Sequence, residues 1–226
     1  MKVILLITIL FNSSLFARVS LLPSTISGND AVFSNTDNLC EHKTNKEEIL
    51  TIVNSILNKN FETLLPAYKD GRLKIREFEN DEYFLKTMFK LSHILKKTRV
   101  YYLDINKKLY NCAPDKEALT AILAHELQHI DDYQKSKTFG LIRLGIKMIG
   151  KKSRSKYERS TDFRVMEMGY SEGIKGYRNW IYKRLDEKGL KTKKCYYYTP
   201  HEIDLYQEGQ RDFSNYYKEF CKKKKD

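Results

Sequence analysis

The sequence is poor in long hydrophobic runs, in cysteine and in histidine. Its longest largely apolar stretch, residues 3–11, is shorter than the roughly 20 residues that a membrane-spanning helix needs, and we expect no transmembrane helix after it. The four cysteines have a spacing that matches no zinc-finger pattern, which argues against a cysteine-ligated metal.

No internal repeat and no known nucleic-acid-binding motif is present. The lysines are scattered, so a nucleic-acid binder is not favoured.

What is present fits a globular protein with a strong positive charge. The chain has 226 residues, enough for one domain of ordinary size or two small ones. Hydrophobic residues make up 41% and charged residues 31%, which argues against wholesale disorder. The net charge of +12 favours anionic partners, and it does not choose between membranes, cell-wall polymers and acidic proteins.

The N-terminus has the pattern of a secretory signal peptide. Lys2 precedes the apolar run, and Leu15 and Ala17 fit positions −3 and −1 of a cleavage site. An N-terminal membrane anchor is the alternative, which the short run does not favour. We therefore predict a signal peptide in residues 1–17, cleavage near Ala17, and a periplasmic or secreted protein.

Beyond the leader, we expect an extended arm in residues 18–43 and a single domain in residues 44–226. The even number of cysteines predicts two disulfides in an oxidising compartment, with three possible connectivities. The favoured pairs are Cys40–Cys112 and Cys195–Cys221, since one would tie the arm and the other the C-terminal tail.

Local patterns predict an α+β fold, mostly helical, with a small mixed sheet packed against one central helix. The expected strands lie in residues 72–78, after a turn at Asp70–Gly71, and in residues 99–105. In the first half of the chain we expect a helix with a capping box at Thr44 and Glu47, a helix in residues 81–97 and a helix from Pro114 to about Tyr133. In the second half we expect a helix that starts near Ser155 and is broken by Gly169 and Gly173, a helix in residues 176–185 and a helix capped by Thr199.

Residues 139–159 are apolar first and basic afterwards. The simpler interpretation is a core helix followed by a solvated basic loop. The alternative is a basic amphipathic element, within residues 143–159, that lies on an anionic membrane or cell-wall surface.

The stretch AILAHELQHIDDY places His125 and His129 four residues apart. On a helix these positions share one face, so both imidazoles can bind one ion. Glu126 lies one step round the helix, where it can take a proton from a metal-bound water. The alternative is a core helix with two hydrogen-bonded histidines, but it would also bury Glu126 among aliphatic residues, which is costly.

A catalytic zinc site needs a third protein ligand and one open position. The metzincin pattern is excluded, because Asp132 and Lys135 stand where its glycine and third histidine would be. The next candidate is Glu158, with Glu167 in reserve. Glu158 also fits the end of a capping box that begins at Ser155.

HELQH followed by ERSTD resembles the HExxH…ExxxD pattern of the gluzincin metallopeptidases, and YERSTDFRVMEMGY is similar to the second-ligand helix of HtpX-like and CAAX-prenyl endopeptidases. The resemblance covers residues 118–170. It implies that Glu158 is the third zinc ligand and that Asp162 hydrogen-bonds a ligating histidine. Downstream histidines or tyrosines donate to the oxyanion in such enzymes, which makes His201 and Tyr206 candidates.

These observations predict an exported metallopeptidase that holds one Zn²⁺ and hydrolyses a protein or peptide substrate, with Glu126 as general base. The alternative is a zinc-stabilised exported binding protein, without turnover, that docks on an anionic surface.

Overall fold

The computed structural model describes residues 40, 42–80, 83–96, 98–210 and 221. The predicted signal peptide, nearly all of the predicted arm and the basic tail of residues 222–225 lie outside these residues.

Helices dominate the described part of the chain. They are α1 (Lys46–Asn60), α2 (Leu65–Lys69), α3 (Lys108–Asn111), α4 (Lys116–Lys135), α5 (Thr138–Ile149), α6 (Lys151–Val165), α7 (Ser171–Tyr182), α8 (Glu187–Tyr196) and α9 (Pro200–Gln207), with a π-helical segment at Met166–Tyr170 between α6 and α7. None of these helices combines the length and the apolar content needed to cross a bilayer.

Three strands form one mixed sheet, β1 (Leu73–Phe78), β2 (Leu85–Phe89) and β3 (Tyr101–Asn106). The strand order is β1-β3-β2, in which β3 pairs with β1 in parallel and with β2 antiparallel. Leu103 of β3 faces Ile75 on one side and Thr87 on the other. The predicted small mixed sheet and mostly helical α+β composition are confirmed.

Helix α4 is the centre of the molecule. Its N-terminus is fixed by Asp115, whose Oδ1 accepts from the amide of Ala118 at 2.8 Å. The helix packs against β2 and β3 and against α1, α6 and α7. Nearly all of its residues from Ala121 to Asp131 are buried, because neighbours cover it on several sides. A helix held in this way offers a rigid support for the side chains that the motif singled out.

The predicted helix in residues 81–97 is wrong. This segment contains β2 and a 3₁₀ turn at Leu91–His93. The apolar residues of this segment fit a helical spacing. However, all residues of β2 pair with residues of β3, and the burial of Leu85 and Thr87 follows the two-residue period of a strand.

The predicted basic loop before residue 159 is also wrong, because α5 and α6 meet at Gly150 with no intervening loop. Since α6 begins at Lys151, Ser155 caps no helix; its hydroxyl donates to the carbonyl of Cys195 at 2.6 Å instead.

The other helix predictions are correct in part. The helix expected at residues 176–185 is the second half of α7, which begins at Ser171 and ends at Tyr182, and α8 was not predicted. The cap of α1 is Asn45 rather than Thr44, since the Asn45 side chain accepts from the amide of Glu48. The capping box of Thr199 and Glu202 on α9 is confirmed. Gly169 breaks the helix at a φ of 93°, a conformation that glycine adopts without strain, whereas Gly173 lies inside α7.

Both predicted disulfides are present. Cys40 is bonded to Cys112 and Cys195 to Cys221, which closes loops of 72 and 26 residues. Disulfides of this kind persist in oxidising compartments.

Candidate metal centre

The two histidines of α4 converge as their spacing predicts. His125 and His129 are one turn apart, and their Nε2 atoms lie 3.1 Å from each other. Both side chains are almost completely buried. Two imidazole nitrogens at this separation are aimed at a common point rather than at separate partners.

Glu158 of α6 completes the cluster. Its Oε2 lies 3.4 Å from Nε2 of His125 and 3.2 Å from Nε2 of His129. One ligand atom from each of the three residues falls within 4.8 Å of the others, and all three side chains are buried. The helix pair α4–α6 therefore brings together the residues that the sequence proposed as metal ligands.

Asp162, one turn beyond Glu158, holds the ring of His125. Its Oδ1 lies 2.8 Å from Nδ1 of His125. The same carboxylate accepts from Nη2 of Arg178 at 2.9 Å and from the amide of Tyr198 at 3.1 Å. A carboxylate fixed by a buried arginine and a backbone amide sets both the orientation of the imidazole and the nitrogen that carries its proton, so that Nε2 is left as a ligand.

His129 is oriented in a similar way by a residue that the sequence did not single out. Its Nδ1 lies 2.9 Å from the hydroxyl of Tyr157, and the two rings are 5.1 Å apart. Tyr157 directly precedes Glu158 on α6, so this helix supplies a ligand and the supports of both histidines.

In the metal-free cluster, the histidines and the carboxylates shift each other's pKa values. Burial alone would raise the pKa of Glu158, but the two histidines lower it to about 2. Burial lowers the pKa of His125, and the carboxylates of Asp162 and Glu158 outweigh this effect and raise it to about 9. Two carboxylates are thus held ionised in the interior, where positive charge is the usual compensation.

The donors present fit a divalent metal ion. Two imidazoles and one carboxylate are a common set of three protein ligands at metal sites with an open position. Among the described residues, no hydrogen-bond donor other than the two imidazoles approaches the carboxylate oxygens of Glu158. A buried carboxylate is seldom left in that state unless an ion or water completes its contacts.

Glu126 faces a small cavity beside the cluster. The cavity volume is about 20 Å³, which is room for about one water molecule. Oε2 of Glu126 meets no hydrogen-bond donor among the described residues, and burial raises the pKa of this carboxyl. The cavity is lined by Tyr83, Phe84, Leu85, Ile122, His125, Glu126, Tyr177, Arg178, Ile181, Lys193 and Tyr197.

Other candidates from the sequence lie elsewhere. His201 is exposed near the start of α9, and Tyr206 packs its ring on Phe163 at 5.6 Å; neither lines the cavity. Glu167, the reserve ligand, is exposed and is not part of the cluster. Lys193 and Tyr197 are among the residues that line the cavity instead.

Tyr197 and Arg178 could not have been selected from the sequence. The ring of Tyr197 lies 5.9 Å from that of His125, and the guanidinium of Arg178 stacks on Tyr197 at 4.4 Å. Tyr197 is the middle residue of a run of three tyrosines, and no local signal distinguishes it from its neighbours. Only the packing of α7 and α8 against α4 and α6 brings these residues to the site.

Comparison with protein-family models, with curated proteins and with solved structures found no match for this chain.

Proposed function

We propose that this protein is a zinc-dependent hydrolase that cleaves peptide bonds. His125, His129 and Glu158 hold one Zn²⁺, and Glu126 is the general base. The observation that carries the proposal is the convergence of three buried ligand atoms beside a cavity that exposes an unpaired glutamate oxygen.

The choice of zinc follows from the ligand set. Zinc is commonly bound by imidazole nitrogens together with a single carboxylate, whereas calcium and magnesium prefer sites made mainly of oxygen ligands. The resemblance of the sequence motifs to those of gluzincin metallopeptidases implies the same three ligands, His125, His129 and Glu158.

Glu126 has the properties of a proton acceptor. When bound, zinc supplies Lewis acidity that polarises a carbonyl and lowers the pKa of a coordinated water to about 7. Glu126 borders the cavity, which has room for about one water molecule. Burial raises the pKa of its carboxyl above that of a solvated glutamate. A base whose pKa lies near the working pH transfers protons most effectively.

Two further groups at the cavity can stabilise negative charge that develops on a substrate oxygen. The ammonium of Lys193 lies 5.1 Å from the ring centre of Tyr197, and burial together with Arg178 lowers the pKa of Lys193 to about 8. A hydroxyl and an ammonium in a water-poor cavity are effective donors to such an oxygen.

An extended peptide is the substrate class that the neighbouring strand favours. β2 lies at the edge of the sheet, and no other described strand pairs with its second side. Thr87 of β2 hydrogen-bonds the Glu126 side chain, so this edge runs beside the proposed base. An edge strand can hold a peptide by adding it to the sheet as a further strand.

The closed state of the site favours a second candidate, a zinc-stabilised protein without turnover. The three ligands and Glu126 are at most 1% exposed, and the cavity admits little more than one water. A peptide can enter only if residues that line the cavity move.

The substitution Glu126→Gln tests the proposal. It keeps size and packing but removes the proton acceptor, so cleavage of a peptide library should fall by at least a hundredfold while the zinc content stays at one ion per chain. Glu117→Gln, an exposed change on the same helix, is the matched control and should leave both quantities unchanged. A metal-loaded wild type that cleaves no peptide in the library supports the second candidate, and full activity in Glu126→Gln excludes the proposed mechanism.

A further inference from the structure

Helix α5 has two apolar sides, and only one of them faces the core. Leu141 and Met148 are buried, whereas Phe139, Ile146 and Ile149 are 69%, 63% and 68% exposed. At 100° per residue, the exposed residues and the half-buried Ile142 fall within an arc of about 80° on the side of the helix away from Met148. Their spacing of three and four residues makes this arc a continuous apolar stripe.

Positive charge surrounds the stripe. Arg143 and Lys147 are exposed and border it along the same helix. Between Asp132 and Glu158 the chain has no acidic residue at all and eight basic ones, which are Lys135, Lys137, Arg143, Lys147, Lys151, Lys152, Arg154 and Lys156. We call the exposed side of α5, together with Lys151 and Lys152 at the start of α6, the basic apolar surface.

The charge distribution of α6 is costly for the isolated chain. Its first turn contains Lys151, Lys152 and Arg154 and no acidic residue. Cations at a helix N-terminus oppose the helix dipole, which favours anions there. Exposed aliphatic residues on α5 add a second local cost. A partner with anionic groups at its surface and apolar groups beneath them would reduce both the electrostatic cost at α6 and the cost of the exposed aliphatic residues on α5.

The same charges argue against a second copy of the chain as the partner. A symmetric contact between two α5 helices would bring Arg143 and Lys147 of one copy close to those of the other, with no acidic residue on either helix to neutralise them. A bilayer that contains anionic lipid offers phosphate groups for the basic residues and acyl chains for the stripe, which is the arrangement of helices that lie in the membrane interface.

We propose that the basic apolar surface docks the protein on the surface of an anionic phospholipid bilayer, with α5 parallel to the membrane plane and the side chains of Phe139, Ile146 and Ile149 among the acyl chains. This inference goes beyond the proposed hydrolase function and does not depend on it. Because α5 leads directly into α6, docking would hold the ligand-bearing helix next to the membrane.

Vesicle flotation tests the proposal. The chain from Arg18 onward, which keeps every described residue, is mixed with vesicles of phosphatidylcholine containing 30% phosphatidylglycerol or with pure phosphatidylcholine. We expect binding to the anionic vesicles, at least tenfold weaker binding to the neutral ones, and a loss of binding as the salt concentration rises.

Two double variants separate the contributions of charge and apolar contact. Arg143→Glu with Lys147→Glu and, separately, Phe139→Ser with Ile146→Ser should each weaken binding at least tenfold. Lys43→Glu with Lys116→Glu is the charge-matched control and should bind like the wild type. Both lysines are exposed near the start of α4, whereas α5 follows the end of that helix. Circular dichroism and thermal melting establish that each variant is folded.

Three results would overturn the proposal. They are absence of binding to anionic vesicles, equal losses in the control and the charge variant, and a dimer in solution that Phe139→Ser with Ile146→Ser dissociates. Binding only to an acidic protein, with no vesicle binding, would identify a different class of partner and would equally reject a membrane role.

Discussion

His125 is the residue on which the buried charges of the site converge. It lies between two carboxylates, with Asp162 on Nδ1 and Glu158 near Nε2. Arg178 neutralises Asp162 from the other side through contacts of 2.9 Å to both oxygens. Without metal the imidazole is therefore protonated at neutral pH, and a metal ion must displace that proton to bind Nε2.

The raised pKa of His125 predicts how the metal-free protein responds to pH. The pKa in the fold is about 9, against 6.5 for an unperturbed histidine, so the stabilisation from the protonated ring is fully present below pH 6.5 and is lost as the pH rises through 9. We expect the His125 contribution to the unfolding free energy of the metal-free protein to fall by roughly 2–3 kcal/mol between pH 6.5 and 9. Lys193, whose pKa in the fold is lowered to about 8, offsets part of this fall above pH 8.

Chemical denaturation at several pH values measures this fall. The substitution His125→Gln should remove the fall, and so should saturation with zinc, whereas His201→Gln, a change of an exposed histidine, should leave the wild-type profile. A metal-free wild type whose profile is parallel to that of His125→Gln would show that His125 is neutral in the fold.

Among the secondary-structure elements, those with a strong capping or spacing pattern in the sequence were predicted correctly. The capped helix that carries His125 and His129, the strand of residues 72–78 and the capping box at Thr199 depend on residues close in sequence, and the structure has them. The spacing of HExxH placed His125 and His129 on one helical face, and the resemblance to the HExxH…ExxxD pattern implied Glu158, the third residue of the cluster.

The segments that differ from prediction are governed by distant contacts. Residues 85–89 form a strand because β3, about 16 residues later, supplies hydrogen-bond partners. Tyr197 and Arg178 reach the site only through packing of later helices, whereas His201 and Tyr206, the candidates from the sequence, do not line the cavity. A pattern read over ten residues contains no information about such contacts.

Gly173 shows how closely α7 packs against the site helix. A Cβ at this position would lie 2.6 Å from both Cβ of Ala121 and the carbonyl oxygen of Glu117, whereas at Gly176 the nearest atom, Cβ of Ala118, would be 3.3 Å away. Gly173→Ala should therefore destabilise the protein by about 1–3 kcal/mol despite its better helix propensity.

Gly176→Ala is the matched control for this prediction, because it makes the same change one turn later on α7. It should be neutral or stabilising by up to about 1 kcal/mol. Thermal and urea unfolding measure both variants; equal effects at the two positions would mean that α7 does not approach α4 as closely as described.

For the whole molecule, two disulfides tie the ends of the described chain to its centre. Cys112 lies shortly before the start of α4, and Cys195 lies near the end of α8, two residues before Tyr197, which lines the cavity. Such bonds indicate an oxidising environment, which agrees with the predicted export.

The two bonds should contribute differently to stability. In the chain-entropy description, closing a 72-residue loop stabilises by about 4 kcal/mol and closing a 26-residue loop by about 3 kcal/mol. Replacing Cys40 and Cys112 by alanine should therefore lower the unfolding free energy by about 1 kcal/mol more than replacing Cys195 and Cys221. Denaturation of the two double variants checks the order, and the reverse order would show that the shorter loop constrains the fold more.

The candidate metal centre depends on all three scales, since two helices from different parts of the sequence bring its three residues together. The most direct measurement is the zinc content of the purified protein by mass spectrometry, beside that of folded Glu158→Ala and of Glu167→Ala as the control. We predict one zinc ion per chain in the wild type and in Glu167→Ala, and less than a tenth of that in Glu158→Ala. A wild type that takes up no zinc, or a Glu158→Ala variant that keeps all of it, would contradict the assignment.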